Sequence, residues 1–183
     1  MTGAVMTVRF LDGGSRAAIN QLLRMGTHPE ALLKAIGTGM VRNVHDRFQN
    51  ATGPGGVAWV ALNPLYASTK RGPGILRAAG MRGGLMGSIT RDVQGHELAV
   101  GTNKVYGAVH QFGATIVPKK AKALRFHMGG KLIVASSVTI PARPYLGWDD
   151  EDEEVVLEVT GALFDRAIAA GASAARRQIG GLF

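Results

Sequence analysis

The side chains that could do acid–base or metal chemistry are few and scattered. The five histidines stand at positions 28, 45, 96, 110 and 127, and no two are four residues apart, the spacing that places two imidazoles on one helix face. His96-Glu97 begins like a zinc-protease motif, but the second histidine is missing. The chain contains no cysteine, which excludes disulfides and thiolate ligands and fits a reducing compartment.

His110 with Gln111 is the most tempting catalytic pair, because it lies in a dense block of sequence, Leu98–Gly113. No serine or acid stands beside it, so we interpret His110 as a packed, hydrogen-bonded histidine rather than a general base. Gly37-Thr38-Gly39 lacks the remaining glycine of a nucleotide-binding fingerprint. The sequence therefore predicts neither an enzyme nor a cofactor.

The acidic run Asp149–Glu154 has two interpretations. Clustered carboxylates attract hard cations, but the central glycine and terminal glutamate of a calcium loop are absent. At the first turn of a helix the same charges meet the positive end of the helix dipole. We favour a helix start, with the helix continuing to Arg176-Arg177 and stopping at Gly180-Gly181.

A second long helix is predicted near the N-terminus, from Thr27-His28-Pro29-Glu30 to about Gln49. The Thr27 hydroxyl is expected to cap it, with Glu30 reaching back. Its apolar stripe leaves Arg47 off the packed face. The stripe comprises Leu33, Ile36, Met40, Val44 and Phe48.

Alternating apolar residues separated by glycine turns predict antiparallel hairpins. The first joins Ile89–Val93 to Glu97–Val100, and the second joins 123–128 to Lys131–Ala135 across Gly129-Gly130. A short strand is expected at Thr7–Leu11, and a short helix from Tyr106 to His110, with Gly113 as its stop.

These elements predict one α+β domain over residues 1–183. An antiparallel sheet of hairpins would pack against a long N-terminal helix and a C-terminal helix. The glycine-rich stretch 50–58 is expected to be a flexible loop, and 115–138 a protruding hairpin. No apolar run is long enough to span a membrane, and the N-terminus lacks the layout of a signal peptide.

The charge is divided unequally along the chain. Residues 1–148 carry 18 basic and 5 acidic side chains, a net charge of +13, whereas residues 149–183 carry 3 and 8, a net charge of −5. A basic body suits nucleic acid, and two oppositely charged regions also suit a second copy of the chain. Alternatively, the charges only keep the surface solvated.

An ordered set of motifs resembles the virion morphogenesis family of Mu-like phages, also called the tail completion family. The set runs from Trp59 through the later Val-Gly-Thr-Asn, Tyr-Gly-Ala-Val-His-Gln-Phe-Gly and Ile-Pro-Ala-Arg-Pro-Tyr-Leu-Gly blocks. Between them lie Pro64-Leu65, Ile75-Leu76-Arg77, Gly80 and Ser88-Ile89. The chain departs from the family pattern by extra glycines at 83, 84 and 87.

The resemblance implies a structural virion protein of the phage neck or tail top, a tail terminator that completes the tail and joins it to the head. It implies a ring of copies, expected to be a hexamer, with the tail tube protein and the head–tail connector or stopper proteins as neighbours and genomic DNA in the lumen. It places the protein in the virion, after assembly in the bacterial cytoplasm, with no membrane partner. The alternative is a basic DNA-binding protein. The small number of aromatic residues and the lack of a recognisable reading helix count against it.

Two sets of residues are expected to matter for assembly. The family motif comprises Trp59, Tyr106, His110, Gln111, Phe112, Gly113, Pro141 and Pro144. Residues expected at subunit interfaces are Arg143, Tyr145, Asp149, Asp150, Glu151, Asp152, Lys119, Lys120, Lys122, Arg125 and Lys131. Arg143, held between two prolines, is expected to be a structural or an intersubunit clamp, able to grip a carboxylate with two parallel hydrogen bonds.

Overall fold

Two consecutive helices open the part of the chain that the computed structural model describes, residues 13–77 and 84–180. Helix α1 spans Gly13–Thr27 and helix α2 spans Glu30–Asn50. The strand predicted at Thr7–Leu11 and the motif residue Gly80 lie outside the described residues. The predicted cap was wrong: the Thr27 hydroxyl donates to the Leu23 carbonyl (3.0 Å), because α1 extends to Thr27 and the hydroxyl bonds one turn back.

Helix α2 buries the side of the helix that carries Ile36, Val44 and Phe48, as its apolar spacing predicts. Arg47 is also buried, against the prediction that it lies off the packed face, because two carboxylates reach it there. The helix ends where Ala51 adopts a left-handed conformation (φ 54°, ψ 44°) and its amide bonds the Arg47 carbonyl.

The loop after α2 is closed by its own hydrogen bonds. Thr52 bridges Ala58, the Gly53 amide donates to the Val57 carbonyl (2.7 Å), and a short 3-10 turn spans Pro54–Gly56. The flexibility expected for 50–58 concerns motion and stays a prediction. A one-turn helix, α3, follows at Pro64–Ala67, where the Asn63 side chain caps the Leu65 amide (2.9 Å).

The strands form three separate two-stranded antiparallel ribbons. Strand β1 (Ile89–Gln94) pairs with β2 (Glu97–Thr102). Strand β3 (Ala114–Ile116) pairs with β6 (Val138–Ile140). Strand β4 (Leu124–Met128) pairs with β5 (Lys131–Ala135). The α+β class is confirmed.

A single sheet was expected, but β3–β6 and β4–β5 are the base and tip of one long hairpin that is interrupted between them. Pro118 lies in that interruption, and proline has no amide to continue a ladder. At the tip, the Gly129 amide donates to the Thr69 hydroxyl (3.3 Å), so the hairpin bends back to the segment after α3. How far 115–138 protrudes in solution stays a prediction.

Helix α4 (Gly107–Phe112) ends at Gly113, where φ is 74°, as the sequence predicts. Helix α5 spans Asp150–Gly180 and packs against both α1 and α2, while β1 packs against α2. No helix within 13–77 or 84–180 is both long and apolar enough to cross a membrane.

The core lies where α2, the 59–62 segment and residues 143–146 meet. The Phe48 ring packs against Trp59 (centroids 5.5 Å, nearly perpendicular) and against Tyr145 (5.2 Å). Leu85, Met86 and Ile89 complete this cluster from the other side.

Candidate functional site

Two motif residues, Trp59 and Gln111, meet Arg143 and Tyr145 at one place, which we call the central junction. It joins α4 to the extended segment between Ile140 and Trp148. Two prolines, at 141 and 144, hold that segment extended and remove amide donors that would otherwise need partners.

Gln111 gives this segment the backbone hydrogen bonds that a neighbouring strand would otherwise supply. Its side-chain amide donates to the Leu146 carbonyl (2.7 Å), and its side-chain oxygen accepts from the amides of Tyr145 and Leu146 (3.0 Å each). Three backbone groups that would otherwise lack partners are thereby satisfied by one side chain. Gln111 thus determines where the chain enters α5.

Arg143 clamps a loop rather than a carboxylate. Its Nε donates to the Val60 carbonyl (2.8 Å) and one Nη donates to the Ala61 carbonyl (3.1 Å). Trp59 completes the tie from the opposite direction, because its indole N–H donates to the Pro144 carbonyl (2.7 Å). Arg143 is only 5% exposed, so the expected structural clamp is present, with carbonyls in place of the expected carboxylate.

A second group, the buried charge cluster, comprises Asn43, Arg47, Asp149 and Asp152. One Nη of Arg47 lies 2.7 Å from an Asp152 oxygen and 2.8 Å from an Asp149 oxygen. The other donates to the Gly147 carbonyl (3.0 Å), and the Asn43 amide donates to the remaining Asp152 oxygen (3.0 Å). Arg47 and Asp152 are almost fully buried, and the Arg47 Nε has no partner among the described residues.

Asp149 connects this cluster to the loop at 50–58 and to the start of α5. One carboxylate oxygen accepts from the Gly55 amide (2.9 Å), and the other accepts from the Asp152 amide (3.3 Å) as an N-cap. Burial alone would raise the pKa of Asp149, but the Gly55 amide and the charge of Arg47 together hold it below its ordinary value.

An apolar cavity of about 520 Å³ lies between α3, α4 and the β4–β5 hairpin. Its lining includes Tyr66, Leu76, Tyr106, His110, Phe126 and Met128. Burial, and then the charge of Arg143, lower the pKa of His110, and its Nδ1 has no partner among the described residues. The described lining contains no carboxylate to orient the imidazole.

The structure separates the expected interface residues into two groups. Arg143, Tyr145 and Asp152 are buried and Asp149 is half-buried, and all four make contacts within the chain. The others are exposed, and their part in subunit contacts stays a prediction: Asp150, Glu151, Lys119, Lys120, Lys122, Arg125 and Lys131.

The motif residues are divided in the same way. Trp59 is buried and Gln111 half-buried, whereas Phe112 is 78% exposed and Tyr106 44% exposed. Gly113 lies against Ile140 and Ala142, where a Cβ would approach the Ala142 amide to 2.9 Å and the Ile140 carbonyl to 3.0 Å. The described residues contain no group of three His, Asp or Glu side chains placed to hold a metal.

The comparisons with known proteins agree with the motif order. The pattern of the phage virion morphogenesis family matches residues 14–165. The chain belongs to this family. Residues of the central junction and of the buried charge cluster all lie within the matched range.

Two curated relatives are similar over most of their length. Mu-like prophage FluMu G protein 2 of Haemophilus influenzae is 30% identical over 142 residues, which is 78% of this chain and 83% of the relative. The putative capsid assembly protein G of Escherichia phage Mu is 25% identical over 137 residues, 72% of this chain and 77% of the relative. No solved structure is significantly similar to the chain. Membership of the virion morphogenesis family indicates a structural or assembly role.

Arg47, Asn43 and three apolar residues of α5 were not singled out from the sequence. The α5 residues carried a readable signal, because Leu157, Phe164 and Ile168 recur at helical spacing. Arg47 carried none, since its partners lie about a hundred residues further along the chain.

Proposed function

We propose that this chain is a structural protein of the phage neck that completes the tail and joins it to the head as an oligomeric ring. Its partners would be further copies of itself, the tail tube protein and the head–tail connector proteins. It would be assembled in the host cytoplasm and remain in the virion. The family and the name of the phage Mu relative, a putative capsid assembly protein, support a role in building the particle.

The main support for this proposal is the amount of apolar surface that a single chain leaves uncovered. Sixteen large apolar side chains among the described residues are at least 42% exposed, whereas ten apolar side chains form the core. Val105 (94%), Phe112 (78%) and Trp148 (61%) are extreme cases. A large amount of exposed apolar surface is typical of interaction sites, which supports a role as a subunit of an assembly.

The described residues around His110 include no carboxylate, which favours the structural role over an enzymatic one. That the protein is not an enzyme remains a prediction, which a His110→Ala variant would test. We expect that variant to support normal particle assembly once its folding is verified, because His110 would serve only as packing.

Electron microscopy of particles made without this protein tests the proposal. We expect filled heads and separate tails, with infectivity restored when the protein is supplied from a second gene copy. Joined, infectious particles in its absence would contradict a role in completing or joining the tail.

Binding of DNA is the second candidate, and the exposed basic residues 119–125 together with the net charge of +8 favour it. Titration of the isolated protein with duplex DNA over a range of salt concentrations separates the two. Tight binding that weakens steeply with salt would favour the DNA-binding function. Weak binding would favour assembly through protein contacts.

A further inference from the structure

The outer face of helix α5 carries an apolar stripe that nothing within the described chain covers. Leu157 (66% exposed), Phe164 (44%) and Ile168 (61%) fall within roughly 40° of one another, since each residue advances a helix by about 100°. The stripe is about 16 Å long at a rise of about 1.5 Å per residue. Val155, which is buried and lies against Gly39 of α2, is about 160° from Leu157 around the helix, and buried Ala167 is about 80° from it.

Carboxylates flank this stripe along one side. Glu154, Glu158 and Asp165 follow it at helical spacing and are exposed. None of the three forms an ion pair with another residue of the described chain. The face is therefore apolar in its centre and negative at its border. Its carboxylates differ from those of Asp149 and Asp152, which are already paired with Arg47.

The β4–β5 hairpin has a face of the opposite kind. Cross-strand partners share a face, and the register pairs Arg125 with Val134 and His127 with Leu132. All four side chains are exposed, with Leu132 and Val134 each 58% exposed. Their neighbours Phe126, Met128 and Ile133 are less exposed, whereas Lys131 is exposed. Phe126 and Met128 line the apolar cavity, and His127 reaches it too.

Basic residues border this outer hairpin face. Lys119, Lys120 and Lys122 precede β4, all are exposed, and none is ion-paired within the described chain. Leu132 and Val134 are about 7 Å apart along the strand, so they fit within the length of the apolar stripe on α5. The hairpin face thus offers an apolar centre with a positive border.

We propose that the outer face of α5 binds the outer face of the β4–β5 hairpin of a second copy of this chain. Both faces have an exposed apolar centre, and their bordering charges are opposite in sign. They are different surfaces of one molecule, so the contact is head-to-tail, and repeated contacts of that kind close into a ring when the rotation fits. The inference rests on the proposed ring and identifies the surfaces that build it.

Charge reversal on each face tests this contact. In the helix variant, Glu158→Lys is combined with Asp165→Lys. In the hairpin variant, Lys122→Glu is combined with Arg125→Glu. Each variant places like charges opposite each other, so we expect self-association to weaken by at least about tenfold, as measured by sedimentation or light scattering.

Recombining the reversed charges provides the decisive result. A chain with all four substitutions has a basic helix border and an acidic hairpin border, so it should assemble again. Mixing the helix variant with the hairpin variant should also restore assembly. A matched control, Asp92→Lys with Glu97→Lys, reverses two exposed carboxylates on the β1–β2 hairpin and should assemble normally.

The outcomes separate the contact from the proposed function. If the unaltered chain forms rings and the helix and hairpin variants also form them, the contact is wrong while the ring stands. If the four-substitution chain stays dissociated although its unfolding midpoint is unchanged, the pairing of these two faces is wrong. If the unaltered chain is monomeric at every concentration, both the ring and the contact are overturned. If the hairpin variant loses only DNA binding, this face binds nucleic acid and not a second copy.

Discussion

Arg47 supplies the positive charge that pairs with Asp149 and Asp152 in the buried charge cluster. Removing one partner of a buried ion pair leaves the other charge without compensation, at a cost of about 3–5 kcal/mol. Arg47→Met should therefore lower the free energy of unfolding by about that amount. Arg47→Lys should lower it by less, because lysine keeps the positive charge, although one ammonium cannot reach both carboxylates and the Gly147 carbonyl. Urea unfolding at neutral pH measures the difference.

The control for this prediction is Arg42→Met. Arg42 lies on the same helix but is exposed, and exposed substitutions change stability by about 0.5 kcal/mol or less. Equal effects of the two substitutions would show that the buried charge cluster contributes nothing to stability.

Asp149 makes stability depend on pH in the acid range. Its pKa is lower in the folded chain than its ordinary value of 3.8, so the unfolded chain binds the proton more tightly. Its contribution is present above about pH 4 and is lost as pH falls through the folded-state pKa. We expect Asp149→Asn to be less stable than the unaltered chain at pH 7 and to lose less stability on acidification.

Chemical unfolding at a series of pH values between 2 and 7 tests this expectation, with Asp150→Asn as the exposed neighbour for comparison. A curve for Asp149→Asn that parallels that of the unaltered chain would refute the role assigned to the Asp149 carboxylate.

Among the elements, α4 matters because it holds the segment that leads into α5. Gln111→Ala would leave three backbone groups of Tyr145 and Leu146 without their partner. At about 1 kcal/mol for each lost bond, we expect a loss of about 2–4 kcal/mol in unfolding free energy. Gln49→Ala, on an exposed position of α2, should change it little; a similar loss there would indicate that the hydrogen bonds of Gln111 are not the cause.

The hairpin tip offers a matched pair of glycines. Both Gly129 and Gly130 have positive φ (63° and 75°), which costs any other residue about 1–2 kcal/mol. A Cβ on Gly129 would also collide with Leu65, whereas a Cβ on Gly130 meets nothing within 4 Å. We therefore expect Gly129→Ala to lower the unfolding free energy more than Gly130→Ala. Equal losses would mean that the tip does not rest on α3.

Elements with local signals could be predicted from the sequence. Helix α2, helix α5 and the two hairpin turns follow from apolar spacing and from glycines, which are properties of neighbouring residues. The buried charge cluster could not be predicted, because Arg47 and Asp152 are brought together only by packing of α5 on α2. The Arg143 clamp was expected, but its carbonyl partners at Val60 and Ala61 were not, because they too are brought to Arg143 only by packing of distant parts of the chain.

The whole molecule combines a small core with a large uncovered apolar surface and an uneven charge. Within a single described chain, three two-stranded ribbons leave open edges, and α5 leaves one face unpacked. Open edges and apolar faces favour association. A subunit of this kind is expected to be less stable alone than in its assembly, because association stabilises the folded state by mass action.

Concentration should therefore affect stability. We expect the thermal unfolding midpoint to rise with protein concentration, and to rise less for the helix variant with Glu158→Lys and Asp165→Lys. Calorimetry of both proteins over a hundredfold range of concentration would show it. A midpoint that does not depend on concentration would mean that no folded assembly forms under those conditions.

If this chain completes the tail as we propose, copies of it surround the tail axis where the tail meets the head. A cryo-EM reconstruction of the head–tail junction of the mature particle tests it most directly. We predict a ring of density in which each repeat accommodates this fold, with α5 of one copy against the β4–β5 hairpin of the next. A junction without this chain, or with a single copy beside the axis, would contradict the claim.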